Sequence, residues 1–174
     1  MLKFLAFLLL FAQSTSNSVP VPATDVKSAD IQNTLKRVMA NTNTNVIDTP
    51  LRTVNAGGHN IGIGVVYRPA GAKGGSASHD KVSEVYQVLA GSGTLVTGGT
   101  IVNPQRRTST QEEVTQINGP GVSGDSIQGG VSRRITKGDM VIIPAGTPHW
   151  FSEIQETLTY TVVRVDPSRV VTLK

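Results

Sequence analysis

The 174-residue chain contains no cysteine. That absence removes thiolate metal sites, thiol nucleophiles and disulfide staples at once, so stability has to come from a packed core. Aromatic residues are scarce, with one tryptophan, three tyrosines and four phenylalanines. Histidine is as scarce, with only His59, His79 and His149, so imidazole chemistry has three candidate positions. No Asn-x-Ser/Thr sequon occurs, and N-glycosylation is not expected. Beyond residue 12 no run is apolar enough to cross a bilayer. The net charge is +4, with the basic residues scattered and only Lys36-Arg37, Arg106-Arg107 and Arg133-Arg134 adjacent. Aromatics do not interleave with them, so no nucleic-acid partner is expected.

The first twelve residues join a basic start at Lys3 to a short apolar run, and Q-S-T-S-N-S follows. That order is the pattern of a secretory signal peptide, and the run is too short to span a membrane. The expectation is a signal peptide over residues 1–18, cleaved between positions 16 and 23. The remaining chain is then secreted and extracellular, with no membrane contact. Residues 19–50 form an N-terminal arm, and 51–174 form the main domain.

Within the arm, residues 25–40 predict one short helix. Ser28 stands where a cap is expected, Asp30 suits the first turn, and Ile31, Leu35, Val38 and Met39 fall on one side. The run at 41–45, N-T-N-T-N, reads as a linker. From Leu51 onward the pattern turns to strands. Ile61, Ile63, Val65 and Tyr67 share one face, and Gly62 and Gly64 on the other predict close backbone approach. Residues 71–78 read as a flexible loop. Glu84 to Leu89 is a strand with Glu84, Tyr86 and Val88 on one face, continued by Thr94 to Val96. Residues 98–130, rich in Gly, Ser, Thr and Gln, read as a long loop, a partly ordered flap over one mouth of a barrel. Val131 to Ile135 and Leu158 to Val165 supply further strands. Many short strands without alternating helices argue for an antiparallel, all-β sandwich or barrel.

The most informative stretch is G-D-M-V-I-I-P-A-G-T-P-H, Gly138 to His149. Gly138-Asp139 is a tight-turn signal. Met140 to Ile143 is short, apolar and β-prone, and reads as a buried strand. Pro144 ends pairing for want of an N–H, and Gly146 permits the turn that delivers His149. A second segment runs from His79 through Glu84 to Gly91. Together they resemble the paired motifs of the cupin superfamily, Gly-x5-Pro-x-Gly-x2-His-x3-Asn and Gly-x5-His-x-His-x(3–4)-Glu-x6-Gly. The first of these matches through His149, with Glu153 in place of the closing Asn. The second matches at His79, Glu84 and Gly91. It differs by an offset leading glycine, by Lys81 in place of the second His, and by a His-to-Glu gap one residue short. The resemblance covers roughly residues 60 to 165.

The resemblance implies a small single-domain cupin of the conserved-barrel type. Its fold would be a double-stranded β-helix, or jelly-roll barrel, with a short N-terminal helix. It also implies one divalent transition metal in the barrel, on His79, Glu84 and His149. Such a two-His, one-carboxylate set suits Fe and also holds Mn, Ni, Zn or Cu. Lys81 leaves two readings open: it swings outward beside a three-ligand metal, or it pairs with Glu84 and replaces the metal. Alternation points Asp80 away from His79. His59 reads as a rim or surface residue that strand parity alone could bring to the cavity.

Tyr86 and Phe151 should face inward, and Trp150 should sit at the mouth. Arg68, Arg133, Arg134 and Arg164 are possible anion contacts. The implied partner is a small organic molecule. Its chemistry is dioxygenase-type oxidation or Lewis-acid isomerase or lyase work, with Glu84 and Tyr86 as candidate catalytic residues. The alternative is a non-enzymatic small-molecule binder with a metal-free site. Sheet edges and the N-terminal helix are compatible with a homodimer.

Overall fold

The computed structural model describes residues 20–40 and 46–174. The signal segment and the 41–45 linker expected from the sequence lie outside the described residues. Helix α1, Ser28–Met39, buries Thr34, Leu35 and Val38. Ser28 is its first residue and not its cap: Lys27 takes the cap position, with no side-chain cap bond. Leu35 and Val38 pack on Val65, against Tyr67 and Leu51. The face carrying Val65 and Tyr67 therefore lies under the helix, and the glycine face turns inward. Among the described residues no helix is long and apolar enough to cross a membrane.

Eleven strands follow: β1 Ile47–Asn55, β2 Asn60–Arg68, β3 Ser76–His79, β4 Ser83–Thr97, β5 Thr100–Val102, β6 Gln105–Arg106, β7 Gly121–Gly124, β8 Ser126–Gln128, β9 Val131–Thr136, β10 Met140–Ile143 and β11 His149–Asp166. Every pairing among them is antiparallel. β1 begins four residues before the β pattern expected from Leu51, and its register shifts between Pro50 and Arg52. Pro50 has no N–H, and β1 is an edge strand where that loss is tolerated.

Two long strands organise the barrel. The first half of β4 pairs with β10 and with the end of β11; its second half pairs with β9 and with the start of β11. β11 in turn reaches β2 with its last residues and β3 with its first. β4 and β11 thus run through both layers of a jelly roll, bending as they cross, and the all-β expectation with a short N-terminal helix holds. The bend falls at four register shifts between Phe151 and Tyr160. Gly91 faces it with φ +79°, where an added Cβ would lie 2.0 Å from the Thr157 carbonyl oxygen. Only glycine accommodates both that φ and that approach. Between the layers lies one core that includes Val66, Leu95, Ile143, Phe151, Leu158 and Tyr160.

Three expectations are corrected here. Residues 76–78 are strand rather than loop, because β3 is paired on both sides, by β7 and β11. The 98–130 stretch is ordered: β6 and β7 extend the main sheet beyond β3, β5 and β8 pair in a separate two-stranded sheet, and Glu113–Asn118 forms a short π-helical turn. β10 is half-exposed rather than buried, with Met140 at 63% and Ile142 at 73% exposure. Among the described residues it pairs with β4 alone, and its outer face is uncovered.

Candidate metal centre

The two motif segments are tied by their backbones before any side chain is considered. The Gly146 N–H donates to the carbonyl of His79 at 2.6 Å, and the Ala145 N–H donates to the Ser83 hydroxyl at 3.0 Å. The Pro-x-Gly turn therefore docks on the segment carrying His79 and Glu84. β11 starts at His149, whose register partners are Ala77 and Thr97.

His79, Glu84 and His149 converge inside the barrel at 4%, 1% and 8% exposure. One donor atom from each lies within 4.8 Å of the others. Glu84 Oε2 is 3.5 Å from Nε2 of both histidines. The 3.5 Å separations match the edge of a tetrahedron whose metal–ligand bonds are about 2.1 Å. In spacing, the three residues fit a single divalent ion.

The surrounding hydrogen bonds test that fit atom by atom. His149 Nδ1 lies 3.1 Å from the Thr147 carbonyl, which can only accept, so the proton is on Nδ1 and the Nε2 lone pair faces Glu84. Burial pushes its pKa down to about 4, against the pull of Glu84, and the ring is neutral at physiological pH. Glu84 accepts from Arg164 Nε at 3.0 Å and from the Tyr86 hydroxyl at 2.8 Å. Burial would raise its carboxyl. Arg164, His79 and His149 outweigh that and hold it well below the usual carboxylate range. Both residues are prepared as ligands. His79 is different. Arg107 Nη2 lies 3.0 Å from its Nδ1, and a guanidinium can only donate. Nδ1 is the acceptor, and the neutral ring carries its proton on Nε2, towards Glu84. A metal on His79 has to displace that proton or Arg107.

Arg107 also donates to the carbonyls of Ser78 and Val122 and to the Ser123 hydroxyl, so it belongs to the β3–β7 wall. Arg164 bridges Glu84 and Asp48 through a forked contact. Its Cβ and Nη1 occupy the space beside Gly62 and Gly64, where added Cβ atoms would approach them to 3.5 and 3.4 Å. The close approach predicted at those glycines therefore admits an arginine side chain. Lys81 is exposed. The interior partner of Glu84 is Arg164, which overturns the Lys81–Glu84 alternative.

These groups open into a cavity of about 500 Å³ that Arg68, Tyr86, Trp150, Phe151 and Tyr160 also line. Burial, then the Glu84 carboxylate, raise the Tyr86 hydroxyl well above its usual range, so it keeps its proton. Asp80 points out and pairs with Arg106. His59 lies in the β1–β2 turn, away from the cavity lining. Arg133 and Arg134 are exposed on β9. Sequence reasoning singled out neither Arg107 nor Asp48; no local spacing marks either one.

No protein-family profile matches the chain, and no curated protein does. Among solved structures the chain is similar to the cupin domain of Schizosaccharomyces pombe Cnp3, with 14% identity over 71% of this chain and 62% of that one, at TM-score 0.46. It is similar to KdgF from Halomonas sp., with 14% identity over 74% and 86% of the two chains, at TM-score 0.46. It is also similar to oxalate oxidase in complex with glycolate, with 20% identity over 72% and 53%, at TM-score 0.44. The chain spans less than two thirds of the Cnp3 domain and of oxalate oxidase.

Proposed function

We propose that this chain is an exported cupin that holds one divalent transition metal on His79, Glu84 and His149 and acts on a small organic molecule. The observation that carries the reading is the convergence of three buried donor atoms, from both motif segments, at the wall of a cavity. A metal there supplies Lewis-acid polarisation, or open positions for oxygen chemistry. The protein's own residues have separable tasks. Glu84 stays anionic and serves as a ligand. Tyr86 holds a proton at its phenol oxygen and donates it in a hydrogen bond to Glu84 Oε2 at 2.8 Å, which places a hydroxyl beside the ligand set. Export is supported by the basic and apolar order of residues 1–12.

A second reading has its own observation. The Arg107 contact gives neutral His79 an N–H where a ligand needs a lone pair. A metal-free small-molecule binder would have that arrangement. Elemental analysis of the purified protein, beside His79→Ala and His149→Ala, separates the two. Near-stoichiometric metal that disappears in both variants supports the metal centre. A chain that stays metal-free after incubation with Fe(II), Mn(II), Ni(II) and Zn(II) overturns it in favour of the binder.

A further inference from the structure

Arg68 differs from Arg107 and Arg164, the other arginines at the cavity wall. It ends β2 on the inward face, next to the core residue Val66 in alternation. Its guanidinium carbon sits 4.6 Å from the Phe151 ring centre and 6.0 Å from that of Tyr160. Nε donates to the Tyr160 hydroxyl at 3.2 Å. Among the described residues neither Nη group has an acceptor. Arg106, Arg107 and Arg164 each have a carboxylate within 4.0 Å, and Arg68 has none. Residues 1–19 and 41–45 contain no Asp or Glu, so no carboxylate side chain elsewhere in the chain completes the pair. Stacking occupies the face of a guanidinium and leaves its edge of N–H donors free for a planar, two-oxygen acceptor. Here that edge lines the cavity.

The surroundings keep the edge open. Gly74 lies over it, and a Cβ there would come to 3.2 Å from Nη1. Trp150 is fixed beside it, because its indole N–H donates to the Gly74 carbonyl at 2.8 Å. From Arg68 an aromatic ladder leads to the metal centre. Phe151 and Tyr160 are 5.9 Å apart between ring centres, Tyr160 and Tyr86 4.5 Å, and Tyr86 and His149 6.5 Å. Charge points the same way. On the lining, Asp48, Glu84 and Glu113 face Arg68 and Arg164, with Arg107 behind the wall against Glu113, so a divalent ion would leave the cavity positive and suited to an anion.

We propose that Arg68 is the anchor for a carboxylate on the cavity's ligand, and that the substrate class is small organic acids with a flat apolar body lying along Tyr160 and Tyr86. The proposal rests on the functional reading above for the direction in which the body points. The anchor itself needs only the protein. Carboxylate oxygens accept from Nη1 and Nη2, the body covers aromatic rings, and the far end approaches His149 and Tyr86.

Trp150 is the only tryptophan of the chain and lines the cavity, so its fluorescence reports occupancy without any assay of turnover. Acetate, benzoate and cinnamate, with acetamide, benzamide and cinnamamide as uncharged counterparts, are titrated into protein with and without Zn(II). At least one acid should give a saturable change, with its amide about tenfold weaker or worse. Arg68→Met should weaken that acid by about tenfold or more while leaving Zn(II) content unchanged. Arg68→Lys keeps the charge without the fork, serves if Arg68→Met does not fold, and should lose several-fold. The proposal is overturned if no acid binds in either state, if acids and amides bind alike, or if the substituted protein binds as tightly as wild type. Acid binding that persists in Arg68→Met only with Zn(II) would remove the anchor and keep the metal centre. Acid binding through Arg68 in a protein that takes up no metal would keep the anchor and remove the metal centre.

Discussion

Arg107 and His79 meet across 3.0 Å between Nη2 and Nδ1, and the contact decides which histidine nitrogen is free. Metal-bound histidines ordinarily donate their second N–H to an acceptor, as His149 does to the Thr147 carbonyl. His79 faces a donor instead. Replacing Arg107 by Met removes that donor and lets the Nδ1 proton return, freeing Nε2. Zinc affinity, measured by competition with a chelator, should rise by about tenfold, the scale of outer-sphere effects. The same substitution should cost about 2 kcal/mol in urea unfolding, because the contacts to Ser78, Val122 and Ser123 go with it. Zinc affinity that is unchanged or weaker would show that Arg107 does not hold the tautomer.

Glu84 and Arg164 are buried and half-buried Asp48 continues their chain of opposite charges. Removing one member leaves its neighbour desolvated and only partly compensated. Glu84→Gln should therefore destabilise the fold by about 3 kcal/mol, read from urea unfolding. Arg164→Met should do the same from the other side, and the double variant should cost less than the sum of the two. A strictly additive double variant would mean that the two side chains do not act as a pair.

Much of this site was legible because each motif segment carries backbone punctuation. Gly138, Pro144 and Gly146 predict a turn that delivers His149, and that turn bonds to the His79 carbonyl. Alternation correctly turned Glu84 and Tyr86 to one face. The charges around the triad were harder to read. Lys81 is the basic residue inside the motif, yet it is exposed, while Arg164 arrives from eighty residues away. The clue lay across the sheet, because Arg164 is the register partner of Gly62. That pairing is a tertiary fact which no local window contains. Arg107 comes from a stretch whose Gly, Ser, Thr and Gln content signals a loop. Pairing of β6 with β7 and of β7 with β3 overrides that composition. Met140 and Ile142 misled in the opposite direction, since apolar character cannot tell an edge strand from a central one.

The bend shared by β4 and β11 gives a backbone test. Gly91 combines φ +79° with the 2.0 Å approach that a Cβ would make to the Thr157 carbonyl oxygen. Gly91→Ala should cost at least about 2 kcal/mol in thermal or urea unfolding, since strained φ and backbone overlap add. Gly138→Ala is the control. Its φ is +94° but nothing lies within 4 Å, so it should cost only the φ term, about 1 kcal/mol. Equal losses at the two positions would remove the close approach as the reason for glycine at 91.

His149 makes stability depend on pH in a defined window. Burial holds its folded pKa at about 4, against an ordinary value of 6.5. Between those values the unfolded chain binds a proton that the folded chain refuses. Lowering the pH therefore favours unfolding. The contribution is intact above 6.5, shrinks as pH falls, and is fully lost near 4, a change of about 3 kcal/mol. Glu84 acts lower. Its folded carboxyl lies well below the usual range, so its contribution is present above the unfolded value of 4.5 and is lost only as pH falls through the folded one. Urea unfolding of chelator-treated protein from pH 7 to pH 4 should thus slope downward. His149→Gln, which cannot take up the proton, should flatten that window. If the slope between 6.5 and 4 is the same in both proteins, the proton is being taken up by another group.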